Sequence, residues 1–271
     1  MRIFHPTDLG AGSTTAFLHA LRIAVDTRAA ITIMHVAQGD EQAEWTELPG
    51  VRSTLAKWGL VENAQDMEGL KQLGVGVRKV IMDAGDPVGA CLDYLEEHPT
   101  DLVVMAAHQQ EGGRRWFKRN VATPLARGAG EPTLFIPYEG KGFLDPVSGR
   151  VNIRRILVPV CMDPHPKAAL EMACRTITAL HQQEGTITLL HVGEEATSPH
   201  IELPPLPGWK VERIVRPGEI VDTIVHMAEA IGADMLVMAT KGRDGFLDAL
   251  RGTQTEQVVR RADCPVLAVP A

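Results

Sequence analysis

At 271 residues the chain is long enough for two domains of roughly 150 residues. Its 45% hydrophobic and 23% charged residues exclude long disorder and collagen-like repeats, and with only 4% aromatics its cores must be built from Ala, Val, Ile, Leu and Met. The net charge of −7, with neither half basic, argues against general attraction to nucleic acid or to an anionic membrane.

Short apolar runs occur in chain order at 2–5, 31–36, 77–82, 102–106 and 133–136, then again at 155–160, 186–192, 211–215, 235–239 and 266–269. Runs such as Leu102-Val103-Val104-Met105-Ala106 are apolar at every position, as expected of strands covered on both faces. Between them, Val88, Cys91, Leu92 and Leu95, and likewise Val221, Ile224, Val225 and Ala228, follow the i, i+3, i+4, i+7 spacing of a helix laid on a sheet. The pattern predicts an α/β fold with two tandem, doubly wound, parallel five-stranded sheets flanked by helices.

The two series are copies of one another. ITIMHV at 31–36 matches ITLLHV at 187–192 at an offset of 156, and Arg2-Ile3-Phe4-His5-Pro6 matches Arg155-Ile156-Leu157-Val158-Pro159 at 153. From Gly85/Gly218 to Pro137/Pro270 the offset is 133 without a gap, so the first copy carries an insertion of about 23 residues within 37–84. The expected domains are 1–139 and 151–271, joined by the Gly- and Pro-containing stretch from Tyr138 to about Arg150. Their last strands, TLFI (133–136) and VLAV (266–269), are apolar edges that would pair to form an internal pseudo-dimer, an arrangement compatible with further homodimerisation.

Four scattered cysteines (Cys91, Cys161, Cys174, Cys264) without a C-x-x-C motif argue against a zinc site or a disulfide framework and for a reducing cytoplasm. The N-terminus MRIFHPTDLGAGS lacks a signal core, and no window reaches 18 uninterrupted apolar residues.

In an open parallel sheet, ligands bind beyond the carboxyl ends of the strands. There the second copy carries MATKGRDGFLDALRGTQTEQVV, in which Ala239-x2-Gly242-x9-Gly252-Thr253 places small residues on a loop that opens a helix. Glycines let the backbone N–H groups approach an anion, and Thr253 adds a hydroxyl at the helix N-terminus, the chemistry of a phosphate cradle.

This loop resembles the G-x2-G-x9-G-[S/T] motif of the universal stress proteins, followed by a helix, TEQVVRRADCPVLAVP, similar to that family's carboxyl end. The resemblance spans nearly the whole chain as two tandem copies. It implies ATP or a related adenine nucleotide, with magnesium accompanying it, against the ends of strands one, two and four and on the glycine loop. Carried onto the second copy, the contacts are Pro159, Val160, Cys161, Val192, Met238, Ala239, Gly242, Gly252, Thr253 and Gln254. Two departures stand out. Ala239 replaces the first glycine, and Cys161 lies opposite Asp8, where the resemblance expects a ribose-binding aspartate; the nearest carboxylate is Asp163. The first copy is the reverse, retaining Asp8 while Gln109, Arg119 and Asn120 replace Gly242, Gly252 and Thr253. At most one working site is expected, in the second half.

Other features have plainer readings. Gly113–Arg119 sets four cations around Trp116 and Phe117, which suits a nucleic-acid patch but opposes Ala249 and Leu250 in the repeat, favouring packing. His35 and His191 both end the second strand of their copy with no nucleophile or partner acid in sequence, so structural hydrogen bonding is expected of them rather than catalysis. Gly10-Ala11-Gly12 lacks the third glycine of a dinucleotide loop and the lysine of a P-loop.

The resulting expectation is a cytoplasmic stress-response sensor or regulator that binds nucleotide in its second half and is not an efficient enzyme. The alternatives are an interaction scaffold whose 37–84 insertion, with Trp45 and Trp58, recruits a protein partner, and a slow ATP hydrolase.

Overall fold

The computed structural model describes residues 1–39, 43–107, 122–138, 140–201, 203, 205–241 and 253–271. All ten expected strands are present: β1 (Arg2–Thr7), β2 (Ala30–Ala37), β3 (Gly76–Asp83), β4 (Leu102–Ala107), β5 (Thr133–Pro137), β6 (Arg155–Pro159), β7 (Gly185–Val192), β8 (Trp209–Arg216), β9 (Met235–Thr240) and β10 (Val266–Pro270). They form one sheet of order β3-β2-β1-β4-β5-β10-β9-β6-β7-β8. Where the sequence suggested two five-stranded sheets, β5 and β10 join them antiparallel, pairing Phe135 with Val266 and Leu134 with Leu267. Every other pairing is parallel. Each apolar edge thereby covers the other, the stable outcome for two exposed strands that would otherwise recruit other chains.

Eight helices flank the sheet among the described residues: α1 (Ala11–Thr27), α2 (Val51–Lys57), α3 (Met67–Leu73), α4 (Pro87–Glu97), α5 (Ala122–Ala129), α6 (Lys167–Ala179), α7 (Ile220–Ile231) and α8 (Gln254–Arg261). Side-chain alternation along each strand divides the core in two. Ile31, Ile33, Val104 and Ala106 join Ile156, Val158 and Val237 beneath α1 and α6, whereas Met34, Val36, Val103 and Met105 join Leu236 and Met238 beneath α4, α5, α7 and α8. Both cores run across the β5–β10 seam, so each face is a single apolar layer shared by the halves.

The insertion accounts for α2 and α3; the equivalent stretch of the second half has one short 3-10 turn, Glu195–Thr197. Trp58 at the end of α2 is buried, and its indole N–H donates to the Pro146 carbonyl at 3.4 Å. Gly149 (φ +68°) lies against the indole, and a Cβ there would come within 2.5 Å of the ring. Phe143, from the same connecting stretch, meets His19 of α1 edge-on at 4.6 Å, while the Lys141 N–H donates to the Asp263 carbonyl at 2.8 Å. The connector is thus a packed belt holding α1, α2 and the second half together. Trp58 belongs to that interior, and of the two tryptophans only Trp45, 59% exposed, is displayed. Among the described residues no helix is long and apolar enough to cross a membrane.

Candidate functional site

In each half the strand order 3-2-1-4-5 places the reversal of connection between its first and fourth strands. In the second half these are β6 and β9, whose following helices lie on opposite faces: α6 on one, α8 on the other. Their carboxyl ends therefore diverge to leave a crevice, the usual place for a ligand in an open α/β sheet.

Pro159, Val160 and Cys161 stand at the end of β6, Val192 at the end of β7, Met238 and Ala239 near the end of β9, and Thr253 and Gln254 at the start of α8. Parallel pairing brings these segments to one rim, with Leu157 beside Leu236 and Pro159 beside Leu190. The side chains of Val160 and Met238 point into the core, so only their main chain lies at the rim. Val160 N–H donates to Leu190 O at 2.8 Å, and its carbonyl accepts from His191 Nδ1 at 3.0 Å. The Cys161 thiol is exposed and donates to Pro164 O at 3.4 Å; partial burial raises its pKa, which leaves it a poor nucleophile.

Two charged groups face each other across the crevice mouth. Lys241, one residue beyond β9, and Asp163, in the loop after β6, approach to 2.5 Å, and both are largely exposed. Such a pair contributes at most about 1 kcal/mol and gives way readily to a competing ligand. At the other side of the mouth, Thr253 caps α8 by accepting from the Glu256 N–H at 3.3 Å. The Glu256 carboxylate, 12% exposed, reaches Arg127 of α5 in the first half. Gly242 and Gly252 lie outside the described residues, as do Gln109, Arg119 and Asn120, the Gly113–Arg119 cluster with Trp116 and Phe117, and Ala249 and Leu250.

In the first half the polar groups of the turn after β1 bond one another. Asp8 Oδ1 accepts from the Gly10 N–H at 2.9 Å and from the Ser13 hydroxyl at 2.5 Å, closing the β1–α1 turn. Tyr138 lies over the start of α1, so close that a Cβ on Gly12 would fall inside its ring contact at 2.2 Å. In the second half His165 and Ala271 take these two places, and they line a cavity of about 280 Å³ with Lys167, Ala168 and Glu171. His35 and His191 play matched structural parts: His35 Nδ1 bonds Thr7 O at 2.8 Å, as His191 Nδ1 bonds Val160 O, each tying the end of the second strand to the first.

Sequence reasoning overlooked Lys241, although it sits inside the motif between Ala239 and Gly242, because glycine spacing drew attention away from the charged residues among them. It also overlooked Arg127, whose partner lies in the other copy and is brought near only by the antiparallel seam. Among the described residues no cluster of three or more His, Cys, Asp or Glu side chains is disposed to hold a metal ion.

The molecule is therefore a doubly wound α/β unit used twice and joined tail to tail through its last strands, with Lys241, Asp163 and Thr253 gathered near the switch point of the second copy. The sequence profile of the universal stress protein family matches residues 1–137 and 206–270, and the chain belongs to that family. A 62-residue stretch is 39% identical to one universal stress protein of Methanocaldococcus jannaschii and another match of 62 residues is 36% identical to a second. Each covers 23% of this chain but only 36% and 38% of those relatives. Over the whole chain the fold resembles that of a universal stress protein from Archaeoglobus fulgidus, with TM-score 0.63 at 18% identity, covering 99% of this chain and 98% of that one. It also resembles a functionally unknown protein from Pseudomonas aeruginosa, with TM-score 0.62 at 12% identity, covering 99% and 92%.

Proposed function

We propose that the second half binds ATP or a related adenine nucleotide in the crevice between β6 and β9, and that the chain acts as a nucleotide-responsive sensor or regulator rather than as an efficient enzyme. The observation that carries this reading is the set of groups gathered at that rim. Thr253 and the N-terminus of α8 supply donors for phosphate, Lys241 a cation, and Asp163 a carboxylate able to accept from ribose hydroxyls. Magnesium enters this reading only as the counter-ion of the nucleotide's own phosphates. Efficient turnover would need a positioned general base that substrate can reach, and the histidines ending β2 and β7 are instead buried, His191 being bonded at Nδ1 to Val160 O and at Nε2 to Thr197 Oγ1.

The test is to denature the purified protein, analyse the released small molecules, and titrate the emptied protein with ATP by calorimetry. An adenine nucleotide released, or ATP bound at one site per chain, is the expected result; neither would end the proposal. Gly252→Arg, which copies Arg119 of the first half, should weaken ATP binding by about tenfold or more, because it replaces a backbone approach with a bulky side chain. Unchanged affinity would place the phosphates elsewhere. A nucleotide-independent scaffold remains the second reading on the strength of the exposed Trp45: ATP-blind recruitment of a partner, abolished by Trp45→Ala, would favour it.

A further inference from the structure

Each half of a symmetric pair offers the other the same contacts, so an interaction between two equivalent helices should occur twice. Helices α5 and α8 are such equivalents, flanking the β5–β10 seam on the same face of the sheet. Yet their ion pair is single. Arg127 of α5 meets Glu256 of α8, and the gapless offset of 133 puts Arg260 and Thr123 in the reciprocal places, where threonine has no charge to offer. The acid is in the half with the glycine loop, and the cation comes from the half without it.

The position of the acid matters. Glu256 is the third residue of α8, and its N–H is capped by Thr253, so its carboxylate stands in the first turn of the helix whose N-terminus faces the crevice. A carboxylate there favours the helix through its dipole, but it also places a negative charge beside the point where a phosphate would collect. Because the side chain is largely buried, that charge is poorly screened by water. The guanidinium of Arg127 neutralises it from outside the domain.

We infer that Arg127 of the first half is a positioning residue of the second half's phosphate site, holding Glu256 in place and cancelling its charge so that the start of α8 stays attractive to an anion. This rests on the nucleotide reading proposed above. It assigns the first half a task in the second half's chemistry that does not require a site of its own.

The experiment uses the full chain, with ATP and adenosine each titrated into wild type, Arg127→Gln, Glu256→Gln and the double variant. Arg127→Gln should weaken ATP by about tenfold while leaving adenosine within about twofold, since only the phosphates feel the uncovered carboxylate. Glu256→Gln should bind ATP at least as tightly as wild type, and the double variant should recover wild-type affinity. Loosening of the helix alone would lower affinity for both ligands and would not be rescued. ATP binding within twofold of wild type in Arg127→Gln, or an equal loss for adenosine, overturns the inference while the nucleotide reading stands. A wild type that binds neither ligand overturns both.

Discussion

The two halves share a strand order, a pair of matched histidines and two continuous cores, yet they invest their rims differently. In the first half the polar groups beyond β1 satisfy one another: Asp8 closes its own turn with Gly10 and Ser13, and Tyr138 covers Gly12. In the second half the same positions carry Cys161, Asp163, His165 and Ala271, and Asp163 forms an exposed ion pair with Lys241. The first copy also contributes to the second, since its β5 covers the edge of β10 and its Arg127 reaches Glu256.

The comparison extends to the core beneath the rims, where it predicts the largest effect. His5 and His19 are fully buried in the first half, and burial drives both pKa values from 6.5 down to about 4, against smaller opposing contributions from hydrogen bonds to Val104 O and Thr15 O. For His5 the nearby Asp8 also opposes the shift, though less. The second half has Val158 and Met172 at these positions. A base whose folded pKa lies below its unfolded value takes up protons more readily when unfolded, so stability is complete above about pH 6.5 and falls as the pH drops toward 4. A shift of that size amounts to about 3 kcal/mol per histidine. Hydrogen exchange across this range should show the first half opening before the second. His19→Met, copying the second half, should remove about half of the pH dependence; simultaneous opening of both halves in wild type would contradict this asymmetry.

The next effect tests whether the connector belongs energetically to the first half. Gly149 combines a left-handed backbone with van der Waals contact to Trp58, so Gly149→Ala adds the strain of a side chain at positive φ to a collision with the indole. Destabilisation by about 2 to 3 kcal/mol is expected, with a red shift of Trp58 emission as the belt lifts. Ala at the exposed Gly39, which is also at positive φ but has nothing within 4 Å, separates the two contributions and should cost only the backbone strain of about 1 kcal/mol.

Much of this was legible in the residues, and the exceptions share a cause. All ten strands followed from apolar runs, because a strand covered on both faces has no polar position to obscure the pattern. The seam between TLFI and VLAV could be read from the need to cover two apolar edges. What depended on distant pairing could not be read: Arg127 lies 129 positions from Glu256, and the two approach only because β5 and β10 run antiparallel. Trp58 was readable as a surface anchor because nothing in its own segment reveals the belt at 143–149 that covers it. Glycine spacing pointed to the second rim but said nothing of how Lys241 and Asp163 would face each other across it.

That last pair supplies the smallest predicted effect on stability and a sharp discrimination between the halves. Lys241 and Asp163 are both more than half exposed, so water screens their attraction and Lys241→Ala should change the unfolding free energy by less than about 1 kcal/mol. Its effect on binding should be disproportionate. Removing the cation takes away a phosphate partner and at the same time leaves the Asp163 carboxylate uncompensated at the crevice mouth, so ATP affinity should fall by about five- to tenfold, more steeply at low salt than at high. Asp163→Asn should act in the opposite sense on the phosphate end while weakening the hold on ribose, so adenosine should be hurt more than ATP. Calorimetry on the two variants at two ionic strengths separates these outcomes. Equal losses for both ligands in both variants would mean that the pair merely shapes the loop, and the second rim would then be no better provided for nucleotide than the first.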